Sequence, residues 1–427
     1  MDSASESTAP FSDQLTIPSS EAPPSGSGFA VERDRVRRPR GSRARWASLP
    51  GELRWVLYVY LGTRVLLIGM AIVEGAIRHH SVTHELANWD GLWYRELANK
   101  GYPDHPSFLQ TPLGFFPLYS IVIWAVGHSF AWTTTHGIVW AITLAGVVVS
   151  MVGGLIATVI VYRLAESWWN PQSARRAAAL FCVFPGSVVF SMVYSEGIMI
   201  PLIAGCLLAL QRRRWLLAGI LAGLSTAVEP AALAIVPVCV VSAGLELRRR
   251  GWRLRDARRA VLAPLLSITG IGTFALFLWA WTGTPLATYQ AQHHGWSEKT
   301  DLLAMVHLTT RLASEISLAH LDEPAINLNL VAGLVGALLL AAVFVLMWDA
   351  RRAMSVEAIV WTLFIAFLAL TSEFTPPNPR MLIVAFPALM ILGHYVRGRG
   401  FTVLMWTNGV LLVVMSWLTF VGITLRP

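Results

Sequence analysis

The sequence predicts an all-α polytopic membrane protein, a bundle of about eleven transmembrane helices within a range of about ten to thirteen. Three observations predict it. Of 427 residues, 55% are hydrophobic and only 14% are charged, against about 25% charged in soluble domains. Apolar runs recur from about residue 55 to the end, each near the roughly 20 residues a helix needs to cross a bilayer. A barrel would show alternating segments of about ten residues instead. Finally, the formal net charge of +8 is concentrated in arginines between the apolar runs. These are cytoplasmic anchors under the positive-inside rule, not a nucleic-acid surface.

The elements follow in chain order. Residues 1–50 are rich in Ser, Pro, Glu and Arg; they bury too little apolar surface to offset ordering entropy and read as a disordered cytoplasmic tail. No cleavable signal peptide is visible there. The first span, about 55–77, follows the arginines from Arg33 to Arg45. That charge places the N-terminus in the cytoplasm and the next loop, about 78–112, outside a plasma membrane. Arg212 to Arg214, the seven arginines between Arg248 and Arg259, Arg351-Arg352, and Arg397 with Arg399 mark cytoplasmic loops. The external loops are then Ser195-Glu196-Gly197, Glu229-Pro230, about 283–326, and Glu373 to Arg380.

The spans fall at about 55–77, 137–163, 177–194, 197–210, 215–228, 231–246, 260–282, 327–348, 356–372, 380–396 and 401–424. Residues 113–130 are apolar as well. A crossing there would put Arg212 to Arg214 outside, and Pro112 and Pro117 favour a partial or interfacial helix. Pro185, Pro201, Pro237 and Pro264 interrupt other spans, which is tolerated where backbone is buried in protein or lines a cavity. Cys182, Cys206 and Cys239 lie within apolar runs as core residues and offer neither a disulfide framework nor a zinc spacing.

The densest polar signal is the stretch Asn88 to Tyr102. Read as a helix, it sets Trp89, Trp93 and Leu97 in a stripe with Leu92 beside it, suited to lying in the membrane interface. Asp90 and Tyr94 form the adjacent row. Gly91 leaves room for a substrate beside the carboxylate, and Gly101-Tyr102-Pro103 ends the helix. On local physics alone, a solvated Asp on an ordinary interfacial helix explains the pattern equally well.

Glu196, beside Tyr194 and Ser195, is a costly interfacial carboxylate and so a functional candidate; the plainer reading is a charge stabilised by a helix N-terminus. Arg64 lies inside the first span, either facing a phosphate or forming a structural ion pair with Glu74 or Glu229. His293 and His294 are sugar or phosphate contacts, or else polar surface. No compact Asp/His cluster with ligand spacing is visible, so no metal is expected.

Trp89-Asp90-Gly91-x-Trp93-Tyr94, then Ala98-x-x-Gly101-Tyr102 and Phe115-Phe116-Pro117-Leu118-Tyr119, resemble the PIG-V type of membrane mannosyltransferase. Phe184-Pro185-Gly186-Ser187 with Tyr194-Ser195-Glu196 extends the resemblance, and Asn378-Pro379-Arg380 ahead of Phe386-Pro387 adds a weaker third match. The matches run in family order from about residue 60 to 395. The resemblance implies a GT-C-like bundle with an external juxtamembrane helix in the first loop. It also implies transfer of mannose from a polyprenyl-phosphate carrier, with inversion, to an extracytoplasmic lipid or glycan acceptor.

In that scheme Asp90 is the general base. Arg380 steadies the leaving phosphate, and Trp89, Trp93, Tyr94, Tyr194, Ser195, Glu196, Arg64, His293 and His294 contact substrate. No cofactor is implied beyond the lipid-linked donor, and membrane lipids are the other partners. The sequence departs from the family where Glu229 stands before Pro230 in place of the usual Arg, leaving a charge role there in doubt, and where Met381 follows Arg380 in place of Tyr. Two alternatives remain. One is a transporter or lipid flippase built on Arg64, Glu74, Glu196 and Glu229, though no internal repeat is visible to support it. The other is a non-catalytic subunit of an envelope glycan assembly complex.

Overall fold

The computed structural model describes residues 50–103, 109–296, 298–316, 327–372 and 376–421. Apart from Pro50, the tail read as disordered lies outside them, as does part of the Glu373 to Arg380 loop. Among the described residues every regular element is a helix.

Helix α1 is Gly51–Arg78. Asp90–Lys100 (α2) is the helix of the first loop, and Pro117–Phe130 (α3) is the segment read as a partial helix. There follow Ile138–Trp168 (α4), Pro171–Val183 (α5), Glu196–Gln211 (α6), Trp215–Ser225 (α7) and Ile235–Arg249 (α8). Leu262–Thr282 (α9) comes next. The last helices are Ala287–Gly295 (α10), Ala304–Ile316 (α11), Leu328–Ala350 (α12), Val356–Thr371 (α13), Pro379–Val384 (α14), Phe386–Tyr395 (α15) and Gly398–Val421 (α16).

Helix α1 shows why such segments pack as they do. Leu53, Val56, Leu57, Tyr60, Arg64, Leu67 and Ala71 recur at helical spacing and are buried. Tyr58 and Val65 on the other side are 61% and 73% exposed. An apolar face of that kind, repeated around the bundle, is the surface a bilayer covers. The chain is a multi-pass membrane protein.

Each span read from the sequence coincides with a helix or a bent helical segment, but eleven full crossings do not. Among the described residues, six helices are long and apolar enough to span a membrane, or seven if α5 and the turn after it count as one. Four further apolar helices, α6, α7, α13 and α15, have 10 to 17 residues. The physical reason is interruption. At Phe184-Pro185 the chain bends by 70° from α5 into the 3₁₀ turn Pro185–Ser191. At Ala385 the backbone breaks between α14 and α15, where the buried Trp361 indole N–H donates to the Val384 carbonyl at 3.0 Å. Such rescued breaks are admissible inside protein.

Packing is closest where side chains vanish. A Cβ on Gly153 of α4 would lie 1.6 Å from the Gly197 carbonyl oxygen, and one on Gly197 2.4 Å from Ser150 Cα. Helices α4 and α6 therefore cross backbone to backbone, as small residues allow in membranes.

Loops that charge bias assigns to different faces gather at different ends. Arg213 and Arg250 both pair with Glu246, at 3.6 and 2.7 Å, and Ser242 Oγ donates to Glu357 at 2.7 Å. This joins the arginine loops around residues 213, 250 and 355. Helix α6 separates them from Glu196 by its length, about 24 Å at about 1.5 Å per residue. Asp90, Glu196, Glu229 and Arg380 come together at the Glu196 end.

The buried Arg64 corrects one expectation. It pairs with neither Glu74, whose partner is Arg78, nor Glu229. Its guanidinium donates to the Ser187 carbonyl, to Ser191 Oγ and Ser187 Oγ at 3.0 Å each, and to the Cys182 carbonyl at 3.4 Å. The bend after α5 leaves carbonyls without helical partners, and Arg64 satisfies them. The three cysteines are buried and free, as core residues.

Candidate active site

Helix α2 begins at Asp90 because Trp89 turns the chain sharply before it. Trp89 has φ 61° and ψ −126°, and Gly91 N–H donates back to the Asn88 carbonyl at 3.3 Å. A positive φ is unusual for so bulky a residue and is held by its surroundings. The Trp89 indole donates to the Thr419 carbonyl at 3.4 Å and Asn88 to the Phe420 carbonyl at 3.2 Å, both at the end of α16.

The buried face of α2 is Gly91, Tyr94, Leu97 and Ala98, not the Trp89–Trp93–Leu97 stripe. Leu92 is exposed, and Trp89 and Trp93 are half-buried. Gly91 likewise leaves no room for substrate. A Cβ there would sit 3.0 Å from the Val193 carbonyl, so glycine is what lets α2 dock against the strand-like turn before Tyr194. Val193 N–H also donates to the Leu86 carbonyl at 2.9 Å, tying the two motifs together through backbone.

At this junction Arg380 bridges two carboxylates, its Nη1 donating to Asp90 Oδ2 and its Nε to Glu196 Oε1. The Asp90 and Arg380 side chains remain 29% and 20% exposed, whereas Glu196 is at 1%. Arg380 lies over the Tyr194 ring, 4.9 Å from its centroid. Beneath, Tyr94 hydroxyl donates to Ser195 Oγ at 2.9 Å, and Ser195 Oγ donates to Glu229 Oε2. A third carboxylate thus backs the pair. Glu229 lies in the turn between α7 and α8; burial, reinforced by the neighbouring Glu196 carboxylate, pushes it up to about 8. Held neutral, it spares the site an uncompensated second negative charge.

Arg380 is placed by the turn that Arg64 braces. A Cβ on Gly186 would meet the Pro379 carbonyl oxygen at 2.0 Å. The Phe184–Ser187 and Asn378–Arg380 motifs therefore touch through bare backbone. Asn378 caps α14 by accepting the Met381 N–H at 2.9 Å.

Asp90 and Arg380 open onto a cavity of about 680 Å³. Trp89, Trp93, Tyr194 and Trp296 supply aromatic walls, with Asn88, Gln110, Asn378, His307 and Arg311 as polar ones. Flat aromatic faces with a few convergent polar groups suit a small polar ligand on an apolar stem. The Trp296 indole N–H has no partner among the described residues. Its ring is packed edge-on against Trp93 and Phe115, at centroid distances of 5.3 and 5.8 Å.

The structure therefore unites Asp90, Tyr94, Tyr194, Ser195, Glu196 and Arg380, and sets Trp89 and Trp93 on the cavity wall. It does not bring in Arg64, which acts beneath the site, nor His293 and His294, which lie on α10 outside the cavity lining. From that stretch Trp296 and Gln292 matter instead; Gln292 donates to the Gly114 carbonyl at 2.7 Å. Sequence reasoning missed Glu229, whose departure from the family pattern was the signal. It also missed His307 and Arg311, whose spacing of four on an amphipathic helix marks one face.

Residues 71–283 match the family described as Mannosyltransferase (PIG-V), a stretch that carries Asp90, Glu196 and Glu229. No curated protein matches the chain. Among solved structures, the Archaeoglobus fulgidus oligosaccharyltransferase in its apo form is similar over 86% of this chain, with 13% identity and a TM-score of 0.48. ArnT from Cupriavidus metallidurans bound to undecaprenyl phosphate is similar over 84%, with 15% identity and a TM-score of 0.47. This chain spans 56% of the length of the first and 70% of the second. Taken with the residues assembled around Arg380, the family match is decisive: the chain belongs to the PIG-V family of mannosyltransferases.

Proposed function

We propose that the protein is a membrane glycosyltransferase moving mannose from a polyprenyl-phosphate carrier to a lipid or glycan acceptor, with inversion at the anomeric carbon. The observation that carries the reading is the pairing of Asp90 with Arg380 at the mouth of an aromatic-walled cavity. An acceptor hydroxyl attacks the anomeric carbon, and Asp90 takes its proton as the new bond forms. The bond from the anomeric carbon to the phosphate oxygen breaks, and the phosphate leaves with that electron pair. In this reading the Arg380 guanidinium stabilises that charge. Neither Asp90 nor Glu196 engages its Nη2. The aromatic walls pack against the sugar ring, and the broken, apolar helices offer a groove for the polyprenyl chain.

In this reading the loop from residue 78 faces away from the cytoplasm of a plasma membrane, and the N-terminus lies inside. A transporter built on four central charges fits less well. Arg64, Glu74 and the Glu196–Glu229 pair each have separate local partners.

The test gives purified protein radiolabelled polyprenyl-phosphate-mannose and a lipid extract, comparing wild type with Asp90→Asn. Loss of a general base lowers turnover by about 10²–10⁴-fold. Equal transfer by both proteins sinks the mechanism; no transfer by wild type sinks the donor or acceptor assignment.

A further inference from the structure

A second constellation lies ahead of Asp90 on the same loop. Helix α1 ends at His79, a left-handed residue with φ 59°, which turns the chain back on itself. Ser81 then accepts the His84 N–H and starts a single helical turn over Val82–Glu85. This brings His80 and His84 to either side of Glu85. His80 Nδ1 lies 3.1 Å and His84 Nδ1 3.5 Å from the same oxygen, Glu85 Oε1, and the ligand atoms of all three residues lie within 4.8 Å of one another.

We infer that His80, His84 and Glu85 form a binding site for a divalent transition metal of the zinc type. The distances fit. Zinc bonds of about 2.0–2.1 Å in a tetrahedron put neighbouring ligand atoms about 3.3 Å apart, between the two separations observed. Two imidazoles and one carboxylate are a known zinc donor set that leaves a fourth position open. Here that position faces water, because the histidine side chains are 48% and 49% exposed. The carboxylate is built in: Glu85 is 1% exposed, and its other oxygen accepts from Asn88 Nδ2 at 3.1 Å. An outer hydrogen bond of this kind orients a ligating carboxylate.

A divalent ion held there also fixes the loop, since Asn88, which donates to Glu85, immediately precedes Trp89 and Asp90 and anchors to the Phe420 carbonyl.

The full-length protein in detergent is stripped with a chelator and titrated with zinc chloride, reading bound metal by elemental analysis and the unfolding temperature in parallel. Wild type takes up one equivalent and gains thermal stability. His80→Ala/His84→Ala takes up none and gains nothing, and Asp90→Asn still takes up one. Where the double variant fails to fold, the exposed His84→Asn serves, with affinity lowered at least about tenfold. A wild type without stoichiometric zinc overturns the inference. So does an equivalent that survives the histidine changes, or one that is lost with Asp90.

Discussion

Gly186→Ala tests whether the two turns that meet behind the site set the position of Arg380. The added methyl carbon would lie 2.0 Å from the Pro379 carbonyl oxygen and 3.2 Å from the Arg380 nitrogen. Real Cβ atoms do not approach below about 3.0 Å, so Pro379 and Arg380 must retreat by about 1 Å, roughly the misplacement that costs 10²-fold in rate. The Gly186 side cannot yield instead, because Ser187 is held through its carbonyl and hydroxyl by the buried Arg64. The strain of overpacking costs about 1–3 kcal/mol of stability, which a folded membrane protein of this size survives. The assay is transfer of labelled mannose alongside the unfolding temperature. Gly69→Ala is the control, since a Cβ there meets nothing within 4 Å. Transfer by Gly186→Ala within threefold of wild type would refute the claim that Arg380 is set by this contact.

Other outcomes follow from the same geometry. Trp296→Phe keeps the edge-on ring contacts but removes the unpartnered indole N–H. Because that N–H is buried against Gly114 and reaches no ligand, donor KM stays within about threefold of wild type and the unfolding temperature does not fall, since no hydrogen bond is lost; a larger rise in KM would contradict this. Arg64→Met strands the Ser187 carbonyl at about 1–3 kcal/mol, while the Cys182 carbonyl keeps the Ser187 hydroxyl at 2.9 Å. The unfolding temperature should fall, and wild-type stability would contradict the bracing role. Glu229→Gln addresses protonation. The folded pKa of about 8 exceeds the usual 4.5, so the folded form holds a proton that the unfolded chain releases. The stability from that proton is complete below about pH 4.5 and is lost as pH rises to about 8. The Gln variant should flatten the profile across that window; parallel profiles would contradict a raised Glu229.

Much of this was legible in the sequence. Apolar runs between arginine loops locate the helices because the bilayer imposes length and charge bias on each segment separately. Asp90, Glu196 and Arg380 were legible because each sits in a short motif. What stayed hidden depends on distant segments meeting. Arg64 suggested an ion pair because charge seeks charge. Its partners are instead backbone carbonyls exposed by a bend, and no residue type announces those. Gly91 suggested an opening, yet it fills a contact with Val193 that lies about a hundred residues away. His80, His84 and Glu85 converge only because His79 reverses the chain, and their spacing along the sequence resembles no common metal motif.

The crossing of α4 and α6 at Gly153 and Gly197 carries a consequence for divergence among related chains. Because main chain rests directly on main chain, the address of Glu196 is inherited from two rigid rods and owes nothing to a rotamer that could drift. The cavity wall opposite it is made of side chains, Trp93, Trp296, His307 and Arg311 among them. The acidic anchor can therefore stay fixed while the wall is exchanged residue by residue. Such a division lets one scaffold take up new ligands without moving its buried carboxylate.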